Sequence, residues 1–331
     1  MDAAIDQPVS DRAKATRADA IDRERLRALS VRSDLHGWIQ TGSHFAAIAV
    51  TGAALWLLRT TPWAIPLFLL EGVLINYLYA GQHEFSHSTV FRTRWLNEAF
   101  GRLIGFILIT PRDADQIQHF AHHRHTQIWR QDGELYRARF TLLTYLARLS
   151  GLEYWSANIQ TLALYACGIT PEPYVQHEDV GRVIREARWH LFGYILVAAG
   201  SVWAHTGAAL LLWLAPMLVT KAAHQLQNTI EHVGLPHSDD IFANTRSTRT
   251  NAAMRWLCWN MQHHTAHHAF PSVPCYRLAA LHRALFDERG ISPPTMTYFG
   301  FQAAILKALA AKGEADYPDD RAWIAAREQT R

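Results

Sequence analysis

Cysteine is scarce in this chain and never paired. Cys167, Cys258 and Cys275 form no CxxC motif, which excludes a zinc ribbon, a disulfide framework and a cysteine run for iron and sulfur. There is no Gly-rich phosphate loop, no dinucleotide fingerprint, no internal repeat and no low-complexity tract. A concentrated basic patch is also missing, and the formal charge of +3 is spread along the chain, so nucleic acid is not an expected partner. The first 35 residues carry seven basic and seven acidic side chains around no apolar core, which argues against a cleavable signal peptide.

What the chain has in quantity is apolar residues, 49% of the total, gathered into runs. Four stretches read as membrane spans: about His44 to Leu58, Trp63 to Gln82, Trp189 to Ala204 and Gly207 to Ala223. Tight turns at Arg59–Pro62 and His205–Thr206 make two hairpins of them. At about 1.5 Å per residue the shorter spans barely cross a hydrocarbon layer about 30 Å thick. Charge supports the reading. Of 32 Lys and Arg residues, seven precede residue 41, twelve lie between 82 and 189, twelve lie from Lys221 onward, and only Arg59 falls at a hairpin turn. The positive-inside bias then puts both termini and the central segment in the cytoplasm. The expected fold is an all-α integral membrane protein, multi-pass, with four transmembrane helices in two hairpins and a cytoplasmic helical cap. Ala99 to Pro111 and Thr141 to Gly168 suit helices in the interface or roofing that cap. Glu71 and Asn76 are polar groups inside the second span, and hydrogen bonding between spans is their expected role.

Histidine is the other abundance. His83-Glu-Phe-Ser-His87, His119-Phe-Ala-His122-His123 and His264-Thr-Ala-His267-His268 are separated by long apolar stretches. Positions i, i+3 and i+4 share a helix face, so each cluster can aim two or three imidazoles at one point. Asn228-Thr-Ile-Glu-His232 repeats the i, i+4 geometry with an amide and a ninth imidazole. Nine ligands are too many for one ion, since a catalytic zinc takes about three. Two adjacent ions account for them, on the cytoplasmic side of the spans.

His83-Glu84-Phe85-Ser86-His87 also matches HExxH, in which two histidines bind zinc and the glutamate activates water. A membrane metalloprotease would leave most of the other histidines without a role. A histidine-lined metal transporter should carry its ligands within the spans rather than beyond their ends. Soluble carboxylate-bridged di-iron bundles need a second Glu-x-x-His motif and two further glutamates, which the chain does not convincingly supply.

In their order and in their placement between two hydrophobic hairpins, the three boxes resemble the membrane fatty acid desaturase and hydroxylase superfamily. The likeness extends through His83–Asn97, His119–Thr126 and Asn260–Pro274, and covers roughly residues 40 to 290. It implies a di-iron centre held almost wholly by imidazole, with O2 as co-substrate and a long-chain acyl or other lipid-like substrate. The implied ligands are His83, His87, His119, His122, His123, His232, His264, His267 and His268, with Asn228 at the amide of an NxxxH element. Ala266 departs from the pattern, since many relatives carry an acidic residue before the last histidine pair. Asp113, Asp132 or Glu231 are candidates for the missing outer carboxylate. His125 and His263 lie inside boxes but off the ligand pattern.

The chemistry points the same way. Removing hydrogen from an unactivated methylene requires a redox cofactor, which zinc cannot be. The expected domains are a cytoplasmic segment over 1–40, a membrane desaturase-like di-iron domain over 41–290 and a cytoplasmic tail over 291–331. Desaturation of a fatty acyl lipid is the lead reaction. Hydroxylation, ketolation of a carotenoid-type ring and oxidative decarboxylation are the alternatives within the superfamily. Electrons are expected from a separate ferredoxin, rubredoxin or cytochrome b5-like protein and its reductase, docking near Arg130, Arg137 and Arg139.

Overall fold

The computed structural model describes residues 19–128, 131–135 and 140–312. The expected docking arginines Arg130, Arg137 and Arg139 lie outside the described residues, as do the ends of both terminal segments. The chain is mostly helical. α1 (Arg23–Leu29) begins at Asp22, whose carboxylate accepts from Arg25 N. α2 (Asp34–Leu58) is capped by the Ser33 hydroxyl. A turn at Arg59–Trp63, where Thr61 N donates to the Leu58 carbonyl, leads into α3 (Ala64–Ser86). Among the described residues these are the two helices long and apolar enough to cross a membrane.

α4 (Arg94–Leu108) packs on α3 and turns into α5 (Arg112–His125) through a left-handed Ile109. α6 (Leu142–Ser150) and α7 (Leu152–Ala166) meet at Gly151, whose φ of 81° is the left-handed conformation that ends one helix and starts the next. α8 (His177–Trp203) is as long as the expected third span requires, but its first half is charged. The stretch expected as a fourth span is broken. A π-helical turn at Leu210–Leu214 precedes α9 (Ala215–Val219), and Thr220 separates this from α10 (Lys221–His232). Pro216 explains the wide turn, since it has no N–H for an α-helical bond one turn back.

α11 (Ile241–Asn244), α12 (Ala252–Leu257), α13 (His264–Ala269) and α14 (Leu278–Leu285) carry the third box and its surroundings. Asn251, in the polar loop ahead of that box, caps α12 through Met254 N. One detail departs from an all-α fold: β1 (Ser247–Arg249) pairs in parallel with β2 (Thr295–Thr297). Within the segment expected as a tail, α15 (Tyr298–Lys312) packs on α10, and Gln302 accepts from the Tyr145 hydroxyl at 2.7 Å.

The helix faces sort by polarity. Large apolar side chains stand exposed on α2, α3 and α8, including Val50, Leu57, Ile65, Ile195 and Trp203, the last 85% exposed. A belt of this size marks a surface that meets something other than water. The ordered core lies opposite, around Phe85, Phe91, Trp259 and Leu278. Asn76 is fully buried and donates to the carbonyl of Met217 at 2.8 Å and to Thr220 Oγ1 at 3.0 Å, so it bonds across helices as expected, whereas the buried Glu71, expected to do the same, has no hydrogen-bond partner at its Oε2.

Candidate metal centre

Four helix ends deliver the nine histidines. α3 brings His83 in its last turn and His87 at its C-cap, α5 brings His119, His122 and His123, α10 ends at His232, and α13 holds His264, His267 and His268. Their ring nitrogens gather into two groups. One comprises His83, His87, His119, His123 and His267; the other comprises His122, His232, His264 and His268; within each, one nitrogen per ring lies within 4.8 Å of all the others.

The HxxHH spacing produces this division. Adjacent residues project about 100° apart around a helix, so His122 and His123 cannot serve one point, and neither can His267 and His268. Residues four apart lie nearly one above the other. His119 and His123 therefore join the first group while His122 joins the second, and His264 and His268 join the second while His267 joins the first.

Contacts inside the groups are short. His83 Nε2 lies 2.6 Å from His267 Nε2, and His87 Nε2 lies 2.9 Å from His119 Nε2 and 3.2 Å from His123 Nε2. In the second group His264 Nε2 lies 2.8 Å from His232 Nε2. Metal–nitrogen bonds of roughly 2.1 Å place neighbouring ligand atoms about 3.0 to 3.4 Å apart, close to this spacing.

Polar groups stand behind most of the outward nitrogens. His232 Nδ1 sits 3.1 Å from the Asn244 carbonyl, which only accepts, so the proton is on Nδ1 and the Nε2 lone pair faces inward. His122 Nδ1 meets Asp132 at 2.8 Å and His119 Nδ1 meets Glu134 at 3.1 Å. His267 Nδ1 lies 3.4 Å from Glu84, His264 Nδ1 lies 3.7 Å from Glu231, and His268 Nδ1 lies 3.2 Å from Thr126 Oγ1. Converging lone pairs repel unless a cation lies between them, and a carboxylate behind a ligating imidazole is the usual means of fixing its tautomer. The donor set fits two metal ions.

Protonation agrees. Burial, and after it repulsion from neighbouring imidazoles, holds His119, His123, His264, His267 and His268 well below the usual histidine range. Burial takes His232 down to about 4. Neutral rings are the form that binds metal. His122 is the exception: burial is outweighed by Asp132 and Glu134, which raise it to about 9, so an ion bound there displaces a proton from this ring.

Of the outer carboxylates considered from sequence, Asp132 and Glu231 stand behind His122 and His264. Asp113 does not; it lies in an ion-pair network with Arg102 and Arg112, and its backbone N–H donates to Glu186 at 2.6 Å, which pins the start of α5 to α8. Glu84 and Glu134 were not singled out by sequence as outer carboxylates. Ala266 is fully buried, and the carboxylate near His267 comes instead from Glu84 of the first box. His125 and His263 fall outside both groups, and the His263 ring meets His282 at a tilt, with centroids 4.7 Å apart.

Asn228 is also outside the groups but adjoins them. With His122 and His232 it lines a cleft of ≈660 Å³. Its Oδ1 accepts from Arg148 Nη2 at 2.9 Å, which leaves the amide N–H atoms for the cleft.

Comparison with known proteins agrees with the geometry. A profile described as fatty acid desaturase matches residues 60–300. The sn-1 oleoyl-lipid 12-desaturase of Picosynechococcus sp. is 23% identical over 261 residues, which covers 71% of this chain and 73% of that protein. The protein of the same name from Anabaena variabilis is 27% identical over 82 residues, 24% of this chain and 23% of its own length. The profile match spans all nine gathered histidines, and the chain belongs to the fatty acid desaturase family.

Proposed function

We propose that this chain is a membrane-embedded, O2-dependent di-iron oxidoreductase that introduces a double bond into a mid-chain methylene pair of a fatty acyl lipid. The observation that carries the reading is the division of nine imidazoles into groups of five and four. Iron supplies the redox chemistry when bound, which zinc in the same ligands would not. The balance is one CH2–CH2 pair, O2, two electrons and two protons giving CH=CH and two waters.

In this reading the chain's own residues hold and orient. His83, His87, His119, His123 and His267 bind one ion, and His122, His232, His264 and His268 bind the other. Glu84, Asp132, Glu134 and Glu231 fix the rings from behind, and Asn228, turned by Arg148, offers an N–H to an oxygen in the cleft. Residues 41–290 form the catalytic domain, with 1–40 and 291–331 as flanking cytoplasmic segments. The Lys and Arg distribution and the exposed apolar faces of α2, α3 and α8 support four spans in two hairpins, with termini and active site on the cytoplasmic side. A separate ferredoxin, rubredoxin or cytochrome b5-like carrier supplies the electrons.

Metal analysis of the purified protein, followed by mass spectrometry of lipids from an expressing host grown under labelled O2, tests the proposal. The expected result is two irons per chain and a product two mass units lighter than its precursor without label. Stoichiometric zinc overturns the oxidoreductase. Label retained in the product means hydroxylation or ketolation, and loss of the carboxyl carbon means decarboxylation.

A further inference from the structure

Three helices place a polar residue one turn ahead of a gathered histidine: Tyr79 four before His83, Asp115 four before His119 and Asn228 four before His232. One helical turn is about 6 Å over four residues, so these side chains form a layer directly beneath the imidazoles. They border a chamber whose other walls include Tyr154 and Asn158 of α7 and His224 and Gln225 of α10. Every side chain lining it carries a polar group.

Several of those groups have nothing to bond within the protein. Asp115 Oδ2, Gln225 Nε2 and His224 Nδ1 have no partner, and the three residues are 8%, 1% and 4% exposed. Buried donors and acceptors that no protein atom meets are costly unless water or a ligand meets them. Hydrocarbon alone in this chamber would leave all three unmatched. As placed, the Gln225 amide presents a donor and Asp115 an acceptor, so a single group that meets both accepts from one and donates to the other. A hydroxyl does both, whether it belongs to water or to a substrate that displaces it; an ether or a ketone only accepts.

We propose that the substrate is a hydroxylated lipid, its hydroxyl seated in this chamber between Gln225 and Asp115, a few bonds from the carbon that is oxidised. The inference rests on the lipid desaturase reading above and names the substrate class within it. A site built to pair with a hydroxyl discriminates against the analogue that lacks one, because its own buried groups are then stranded.

Binding to the purified, iron-loaded full chain tests this without an electron carrier. Isothermal titration with stearate and with a set of positional hydroxystearates is expected to show at least one isomer binding tenfold or more tighter than stearate. Gln225→Leu should narrow that difference to less than threefold with iron content retained. Gln225→Glu, which keeps the shape and removes the N–H donor, should do the same and serves where the leucine variant fails to accumulate. Asp115→Asn, still able to pair with a hydroxyl, should keep most of the preference. Equal affinity for stearate and every isomer, or a preference that survives both Gln225 variants, overturns the hydroxyl assignment and leaves the desaturase reading standing. No binding of either lipid class overturns both.

Discussion

Glu84 of the first histidine box lies 3.4 Å from the Nδ1 atom of His267 in the third, both side chains fully buried. It also accepts from Thr89 Oγ1 at 3.2 Å and from Cys275 N at 3.0 Å, so its carboxyl is held on the outer side of that ring. In a zinc protease the corresponding glutamate activates water beside the metal. In the proposed centre it orients a histidine instead. Glu84→Gln is therefore expected to cost about 10- to 100-fold in metal affinity or activity, the usual effect of losing an outer partner. Iron per chain and turnover measured together check this; total loss of activity with metal content untouched would give Glu84 a direct part in the chemistry rather than an orienting one.

Membership of the two groups predicts a contrast among neighbouring histidines. His123→Ala and His267→Ala each remove a ring from the five-membered group and should lose iron and activity. His125→Ala, in the same box as His123 but outside both groups, should keep most of its iron. Equal iron loss in His125→Ala would show that the second box is in a different register.

The crossing of α3 and α9 predicts a stability effect away from the metals. Gly72 faces the backbone of Pro216, and a Cβ there would collide with that carbonyl and lie 2.5 Å from Thr220 Oγ1. The same contact carries the Asn76 bonds to Met217 and Thr220. Gly72→Val should destabilise the protein by about 1 to 3 kcal/mol through overpacking, seen as a lower thermal inactivation midpoint in detergent. Gly42→Val, where the space around a Cβ is open, is the control.

Much of this centre was legible in the chain because its information is local. Spacing within a box sets which face of a helix a histidine occupies, and that depends on the helix alone. The hairpin of α2 and α3 was legible for the same reason, as two apolar runs around Arg59–Pro62. What stands behind the rings depends on elements far apart in sequence. Glu84 reads as half of an HExxH motif until α13 is packed against α3, and Glu134 has no motif at all. Asp113 and Asp115 share one turn of α5, yet one joins an ion-pair network and the other faces the chamber. The π turn before Pro216 shortens a stretch that reads as a continuous span.

Electron supply yields a fourth prediction. The chain carries no dinucleotide fingerprint and no cysteine cluster, so purified protein given NADH alone should not sustain turnover. Adding a ferredoxin, rubredoxin or cytochrome b5-like carrier with its reductase should restore it. If an acidic carrier docks on the basic central segment, the rate should fall as ionic strength rises. Steady turnover without a carrier would refute the dependence.

The chain contains its own topology probe. Cys258 and Cys275 are buried, whereas Cys167 is exposed at the end of α7, inside the segment between 82 and 189 that carries twelve of the basic residues. Two hairpins with cytoplasmic termini put that segment in the cytoplasm. A membrane-impermeant thiol reagent should therefore leave Cys167 unlabelled in intact cells and label it once the membrane is opened. A cysteine introduced at Thr61, in the first hairpin turn, should behave in the opposite way after Cys167→Ser. Labelling of Cys167 from outside intact cells would put the central segment, and with the α2–α3 hairpin the N-terminus, outside, and would overturn the proposed orientation.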